Sequence, residues 1–137
     1  NSNITNENTG PTLWKGAAKT FNKSDGSNPN LEENQDRITE NVWITRGNTG
    51  GQIFNIAINN RADKTESPVG TEWAIGTLDE LDNLTFDYFR NAISRPKTVV
   101  GKNLVLHLIE DDIYIYVKFT SWSQGKRGGF SYERSTP

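Results

Sequence analysis

The sequence predicts an all-β fold, an antiparallel β-sandwich of jelly-roll type with at most one short helix. Three observations carry this. Short segments rich in Val, Ile, Thr, Trp, Tyr and Phe recur along the chain, the composition a half-buried pleated surface accepts. Clusters of Gly, Asn, Asp, Ser and Pro separate them, as in Asp25-Gly26-Ser27-Asn28-Pro29, Gly47-Asn48-Thr49-Gly50-Gly51 and Gln124-Gly125-Lys126-Arg127-Gly128-Gly129. With 137 residues, the chain is long enough for one ordinary domain and too short for two.

Residues 1–12 (NSNITNENTGPT) are polar apart from Ile4 and read as a linker or tail, leaving 13–137 as the single domain. A start at Asn1 and the absence of Met suggest a processed product or a piece of a longer polypeptide. Thr12–Trp14 is the first expected strand, with Trp14 placed to cover a sandwich edge. Thr20–Asn22, Ile38–Thr39 and Val42–Arg46 follow. In the last of these Trp43 alternates with Val42 and Ile44 and is assigned to the core. Ile53–Asn59 and Glu72–Ile75 come next, with Trp73 again a core residue. Thr77 and Glu80 then stand at capping-box spacing. Leu81, Leu84, Tyr88 and Ala92 recur near the helical period, whereas Leu84, Phe86 and Tyr88 alternate as in a strand. The expectation is a short strand, Leu84–Phe86, then one or two helical turns to about Ser94, stopped before Pro96. Leu104–Ile109, Ile113–Trp122 and Phe130–Arg134 complete the set.

A two-residue loop at Asp111-Asp112 would make Leu104–Trp122 a hairpin. Ile109 would then face Tyr114, His107 would face Tyr116, and Val105 would face Lys118. The opposite face would gather Leu104, Leu106, Leu108, Ile115, Val117 and Phe119 as core. The second face carries Val105, His107, Ile109, Tyr114, Tyr116, Lys118, Thr120 and Trp122. It admits two readings, packing beneath a second layer or an open ring-lined groove. Sugars suit the groove, because Tyr and Trp offer a large apolar body with a polar tip. Lys118 and Arg127 can pair with sulfate or carboxylate, and His107 adds a polar contact. Tyr114, Tyr116, Trp122, Lys118, His107 and Arg127 are therefore the candidate ligand-binding residues.

Composition removes other classes. The absence of cysteine excludes thiol catalysis, disulfide scaffolding and Cys-ligated metals, and a single histidine, His107, excludes poly-His zinc sites. A net charge of −2 and pI near 5.4 argue against nucleic acid and anionic membrane as partners. No apolar run approaches the ~20 residues of a membrane span. No Ser sits in a nucleophile elbow, and no two carboxylates hold neighbouring same-face positions on a firm strand as a glycosidase would need. No catalytic residue is assigned, although His107 with Tyr116 keeps a small lyase open as an alternative. A structural calcium has candidate ligands in Asp25–Asn28, 79–82 and Glu110–Asp112, with 79–82 or the Asn30–Asp36 loop ahead of the hairpin turn, but no EF-hand loop is present. The sequons at Asn3, Asn22 and Asn83 carry little weight in an Asn-rich chain. Residues 1–94 hold 8 basic and 13 acidic side chains, and residues 95–137 hold 7 and 4, which slightly favours an anionic ligand for the C-terminal part.

The segments Asn34-Gln-Asp-Arg-Ile-Thr39, Asn41-Val-Trp-Ile-Thr-Arg46, Thr71-Glu-Trp-Ala-Ile-Gly76, His107-Leu-Ile-Glu-Asp-Asp-Ile-Tyr-Ile115, Lys118-Phe-Thr-Ser-Trp122 and Gly128-Gly-Phe-Ser-Tyr132 together carry a resemblance over roughly residues 14–136. The chain resembles an accessory β-sandwich domain of large secreted bacterial proteins, often from marine polysaccharide degraders. In that pattern the position of Tyr116 is often acidic. The resemblance implies a carbohydrate-binding-module-like role in a secreted or cell-surface multidomain protein and names no sugar. The combined expectation is a non-catalytic module that binds a polysaccharide, slightly favouring sulfated or uronic glycans. The alternative is an adhesion or interdomain protein-docking module.

Overall fold

The computed structural model describes residues 10–137. Most of the expected tail, and the sequon at Asn3, lie outside the described residues. Among the described residues nine strands form two sheets, antiparallel but for one short pairing: β1 (Thr12–Trp14), β2 (Lys19–Lys23), β3 (Asp36–Thr39), β4 (Val42–Arg46), β5 (Ile53–Asn55), β6 (Thr71–Ile75), β7 (Asn103–Leu108), β8 (Ile113–Trp122) and β9 (Phe130–Arg134). The larger sheet runs β2-β9-β8-β7-β6, and β3-β4-β5 form the smaller one. β1 pairs in parallel with Ile113–Ile115, ahead of the stretch of β8 that β9 occupies. The expected strand Ile53–Asn59 stops at Asn55, whose side chain turns back to cap it. Its Nδ2 donates to the carbonyls of Asn41 and Val69, and its Oδ1 accepts from the Trp43 and Ala57 amides.

The core lies between the sheets. Ile38, Val42, Ile44 and Ile53 of the small sheet meet Trp73, Leu104, Leu106, Leu108, Ile115, Val117, Phe119, Phe130 and Tyr132 of the large one, all buried. Burying each such aliphatic or aromatic side chain stabilises by roughly 1.5–3 kcal/mol. One polar tie crosses this core. The Arg134 guanidinium grips Asp36 with Nε to Oδ2 at 2.7 Å and Nη2 to Oδ1 at 3.0 Å, and the Tyr132 hydroxyl donates to Oδ2 at 2.6 Å. Strands β9 and β3 are thereby joined by a fork that satisfies a buried carboxylate. Burial, and then the Asp36 charge, push the Tyr132 phenol well above its usual value.

The hairpin faces are as the sequence predicts, but its register is not. The turn spans four residues, 109–112, and the pairs are Leu108↔Ile113, His107↔Tyr114, Leu106↔Ile115 and Val105↔Tyr116. Relative to the two-residue loop the register moves by two, an even number, so every side chain keeps its face. Asp112 takes a left-handed conformation (φ 52°) in this turn, which Asp tolerates.

Further along β8 a bulge does change a face. Phe119 opposes Tyr132, but Ser121 opposes Ser131, so Thr120 and Ser121 share one partner. Both of their hydroxyls bond the Ser131 Oγ, at 2.8 and 2.6 Å. Trp122 swings to the core side, where its ring meets Phe89, Phe119 and Phe130. Its assignment to the Tyr114–Tyr116 face is corrected accordingly. Trp43 is corrected in the opposite sense: it is half-buried, on the outer side of the small sheet, with the Arg37 guanidinium 3.9 Å above its ring.

The ambiguous stretch after β6 resolves into a 3-10 segment, Leu78–Asn83, and one turn of helix, α1 (Phe89–Ala92). The capping box is present, with the Thr77 amide donating to Glu80 Oε1 at 3.0 Å. No strand forms at Leu84–Phe86. Only Asp87 bridges to the edge of β6, exchanging backbone bonds with Trp73.

Candidate functional site

The segment after β6 decides how much of the outer face of the large sheet is open. Its Phe86 ring stands edge-on to His107 (6.0 Å) and Tyr114 (5.7 Å), roofing that end of the face. Beneath it, the His107 imidazole is fixed on both sides. Nδ1 lies 2.6 Å from Glu72 Oε2 on β6, and Nε2 lies 2.8 Å from Asp112 Oδ1 in the hairpin turn. With both ring nitrogens protonated the imidazolium donates to each carboxylate, whereas a neutral ring can donate to only one. A general base needs a nitrogen free to take a substrate proton; here both are engaged. The expected His107–Tyr116 pair does not form, because the register sets Tyr114 opposite His107. Tyr114 is pushed above the ordinary phenol value by burial, then by the nearby Asp112 and Glu72 charges.

Tyr116, one row further, is not roofed. It lies on the wall of a shallow cleft of about 300 Å³ with Trp14, Lys15, Gly16, Leu78, Asp79 and Ser135. The cleft exists because β1 and the end of β9 share one edge of β8. The Tyr116 amide donates to Ser135 Oγ (2.9 Å) and its carbonyl accepts from the Ser135 amide (3.0 Å). The Gly16 amide donates to the Thr136 carbonyl at 2.7 Å. A Cβ on Gly16 would collide with the Thr136 and Pro137 carbonyls, so only glycine lets the two segments close this seam. The Tyr116 hydroxyl reaches toward Asn103 Oδ1 at 3.4 Å. Burial and then the Glu133 charge hold it above its usual value, so it stays a neutral hydrogen-bonding group across the physiological range.

The other expected residues disperse. Lys118 stays on the outer face, between Asn103 and Glu133 in register. Arg127 is exposed in the β8–β9 loop, away from the Tyr116 cleft, where its carbonyl accepts from the Gly26 amide. Of the six, the cleft contains Tyr116 alone. Trp14, at its edge, was legible only as an edge cover, Asp79 only as a calcium-ligand candidate, and Lys15 and Leu78 carried no signal for this cleft in the sequence.

Several acids of the loops considered for calcium are engaged within the protein. Asp25 Oδ1 accepts from the Gly129 amide, Glu80 closes the capping box, and Asp112 holds His107. Among the described residues no three His, Asp or Glu side chains converge to hold a metal. No helix among them is long and apolar enough to cross a membrane. In comparisons with known proteins, the chain matches no family model, no curated protein and no solved structure.

Proposed function

We propose that this chain is a non-catalytic polysaccharide-binding module of a larger secreted or cell-surface protein, receiving a sugar ring on Tyr116. The observation that carries the reading is the cleft itself. The Tyr116 ring stands open on its wall, Trp14 lines its edge with its side chain on the core face beside Ile115, and Lys15, Asp79 and Ser135 ring it with polar groups. A pyranose presents apolar C–H faces to such rings and hydroxyls to such neighbours. The resemblance carried by the sequence segments points the same way.

Affinity electrophoresis through gels containing single polysaccharides tests this. Retardation by at least one glycan is expected, lost in Tyr116→Ala while circular dichroism stays unchanged. Unretarded migration through a panel of neutral and acidic polysaccharides would sink the proposal.

A second reading, protein docking, is favoured by a different observation. Ile58, Val69 and Ile109 are 60, 39 and 49% exposed, and Val69 shares a hollow with each of the other two. An apolar surface of this kind at one end of a sandwich suits a neighbouring domain. Failure of glycan retardation together with loss of interdomain protection in Ile58→Asp would shift the assignment to it.

A further inference from the structure

The C-terminal charge excess suggested an acidic ligand, but the Tyr116 cleft has one ammonium, Lys15, facing one carboxylate, Asp79. A second cleft, on the outer side of the small sheet, is different. Loops 47–52 and 59–64 enclose about 330 Å³ there, with Phe54 and Pro29 as apolar lining. Arg61 and Lys64 are its charged lining residues, and no carboxylate lines it. Gly50 and Gly51 leave the facing wall free of side chains, and the stem of Lys126 lies beside Gly50. Asp63, next along the loop, feels the Arg61 charge but spends Oδ1 on the Thr65 amide and hydroxyl.

The surroundings reinforce the sign. Behind the wall, Arg46 is only 2% exposed, with Nε donating to the Gly51 carbonyl and Nη1 to the Gly129 carbonyl. Close by, Lys23, 1% exposed, donates to Asn48 Oδ1 and the Gly128 carbonyl. Among the described residues no ion pair involves Arg46, Lys23, Arg61, Lys64 or Lys126. Burial draws Arg46 down to about 10 against the pull of Asp25, and burial plus the Arg46 charge lower Lys23. This end of the molecule therefore holds positive charge that Asp25 and Asp63 offset only in part. The cleft lining also holds an unspent acceptor. Gln52 donates both Nε2 protons, to the Asp63 and Glu66 carbonyls, which fixes the orientation of its amide. Its Oε1 is the one buried side-chain polar atom among the described residues without a partner.

We infer that the cleft between loops 47–52 and 59–64 is a binding site for an acidic sugar residue, its carboxylate or sulfate held by Arg61 and Lys64 and its ring resting on Phe54. This rests on the polysaccharide-binding reading and adds the ligand's charge and a second point of attachment. Titration calorimetry separates the two. The probes are a galacturonate hexamer, a chondroitin sulfate hexasaccharide, and the neutral hexamers of cellulose and xylan. The expected result is binding of at least one acidic probe that weakens about tenfold or more in Arg61→Gln/Lys64→Gln and weakens with added salt. Both positions are exposed, so the double variant keeps the fold. Acidic-probe binding unchanged in that variant, binding of the neutral hexamers alone, or no binding of either acidic probe would each overturn the inference. Neutral-hexamer binding lost in Tyr116→Ala would leave the polysaccharide-binding reading standing without it.

Discussion

The imidazole of His107 lies parallel to the phenol of Tyr114, the ring centroids 4.1 Å apart and the planes within 4° of parallel. The two residues are directly opposite on β7 and β8, and the carboxylates of Glu72 and Asp112 hold the imidazole in that plane. One side chain thus ties β6, β7 and the hairpin turn together. His107→Ala removes both of these bonds, from part-exposed carboxylates that water can re-solvate, and is expected to lose about 1 kcal/mol of stability. A double-mutant cycle with Tyr114→Ala should show a coupling of about 0.5–1.5 kcal/mol. Urea unfolding measures both, and additive losses would mean that the stack contributes nothing beyond its area.

The Asp36–Arg134–Tyr132 fork predicts a larger effect. Asp36→Ala leaves a buried guanidinium and a buried hydroxyl without their acceptor, and about 3–5 kcal/mol is expected to be lost. In Arg134 burial pulls the pKa down, but the hydrogen bonds and charge of Asp36 outweigh it and hold the group above its ordinary value.

Tyr132 gives that fork an alkaline signature. Its folded pKa is raised, so the contribution is complete below the unfolded value near 10 and is lost as pH climbs toward the folded one. The stability advantage of the native chain over Tyr132→Phe should shrink by up to about 1.4 kcal/mol per pH unit above 10. Unfolding curves from pH 8 to 11.5 check this, and a constant difference would contradict it. Arg46, drawn down to about 10, acts with the opposite sign, stability rising as its folded form deprotonates. It is common to both proteins and cancels in the difference.

Trp122 and Tyr116 should separate stability from binding. Trp122 packs on Phe89, Phe119 and Phe130 beneath the Arg46 guanidinium, 3.9 Å away. Trp122→Ala is expected to cost about 3–5 kcal/mol. Tyr116→Ala, at an open cleft, should cost clearly less, about 1 kcal/mol, while losing glycan retardation. Thermal unfolding of the two variants side by side decides it.

Gly128 sits at φ 83°, where an added Cβ would run into Asn48 Oδ1 and the Gly47 carbonyl. Asn48 in turn holds Lys23. Gly128→Ala therefore combines backbone strain with a displaced loop, and a loss of about 2 kcal/mol or more is expected in denaturant unfolding.

Alternation along Leu104–Phe119 was enough to assign both faces of the central hairpin, because a strand's side chains alternate with period two and the register differed by an even step. The turn length was not legible. Two- and four-residue loops leave the same pattern, and the His107–Asp112 contact that goes with the longer one is tertiary. The bulge had a faint signal, in that Phe119 and Trp122 are three apart with two small hydroxyl residues between them, a spacing that regular alternation cannot bury on one face. The capping box at Thr77–Glu80 is local chemistry and was legible as such.

By itself, then, the sequence determined the all-β class, the aliphatic face of the hairpin and the burial of Trp73, since these follow from side-chain period and volume along one segment. Tertiary structure decided which rings reach solvent. Trp14 comes to line the same cleft as Tyr116 only because a parallel strand and the end of β9 share an edge of β8. Trp122 turns inward and Trp43 outward for reasons of pairing and layer order. The cationic cleft brings loops 47–52 and 59–64 together with Arg46 and Lys126 behind and beside them. Such proximity is fixed by the packing of two sheets and leaves no period in the chain.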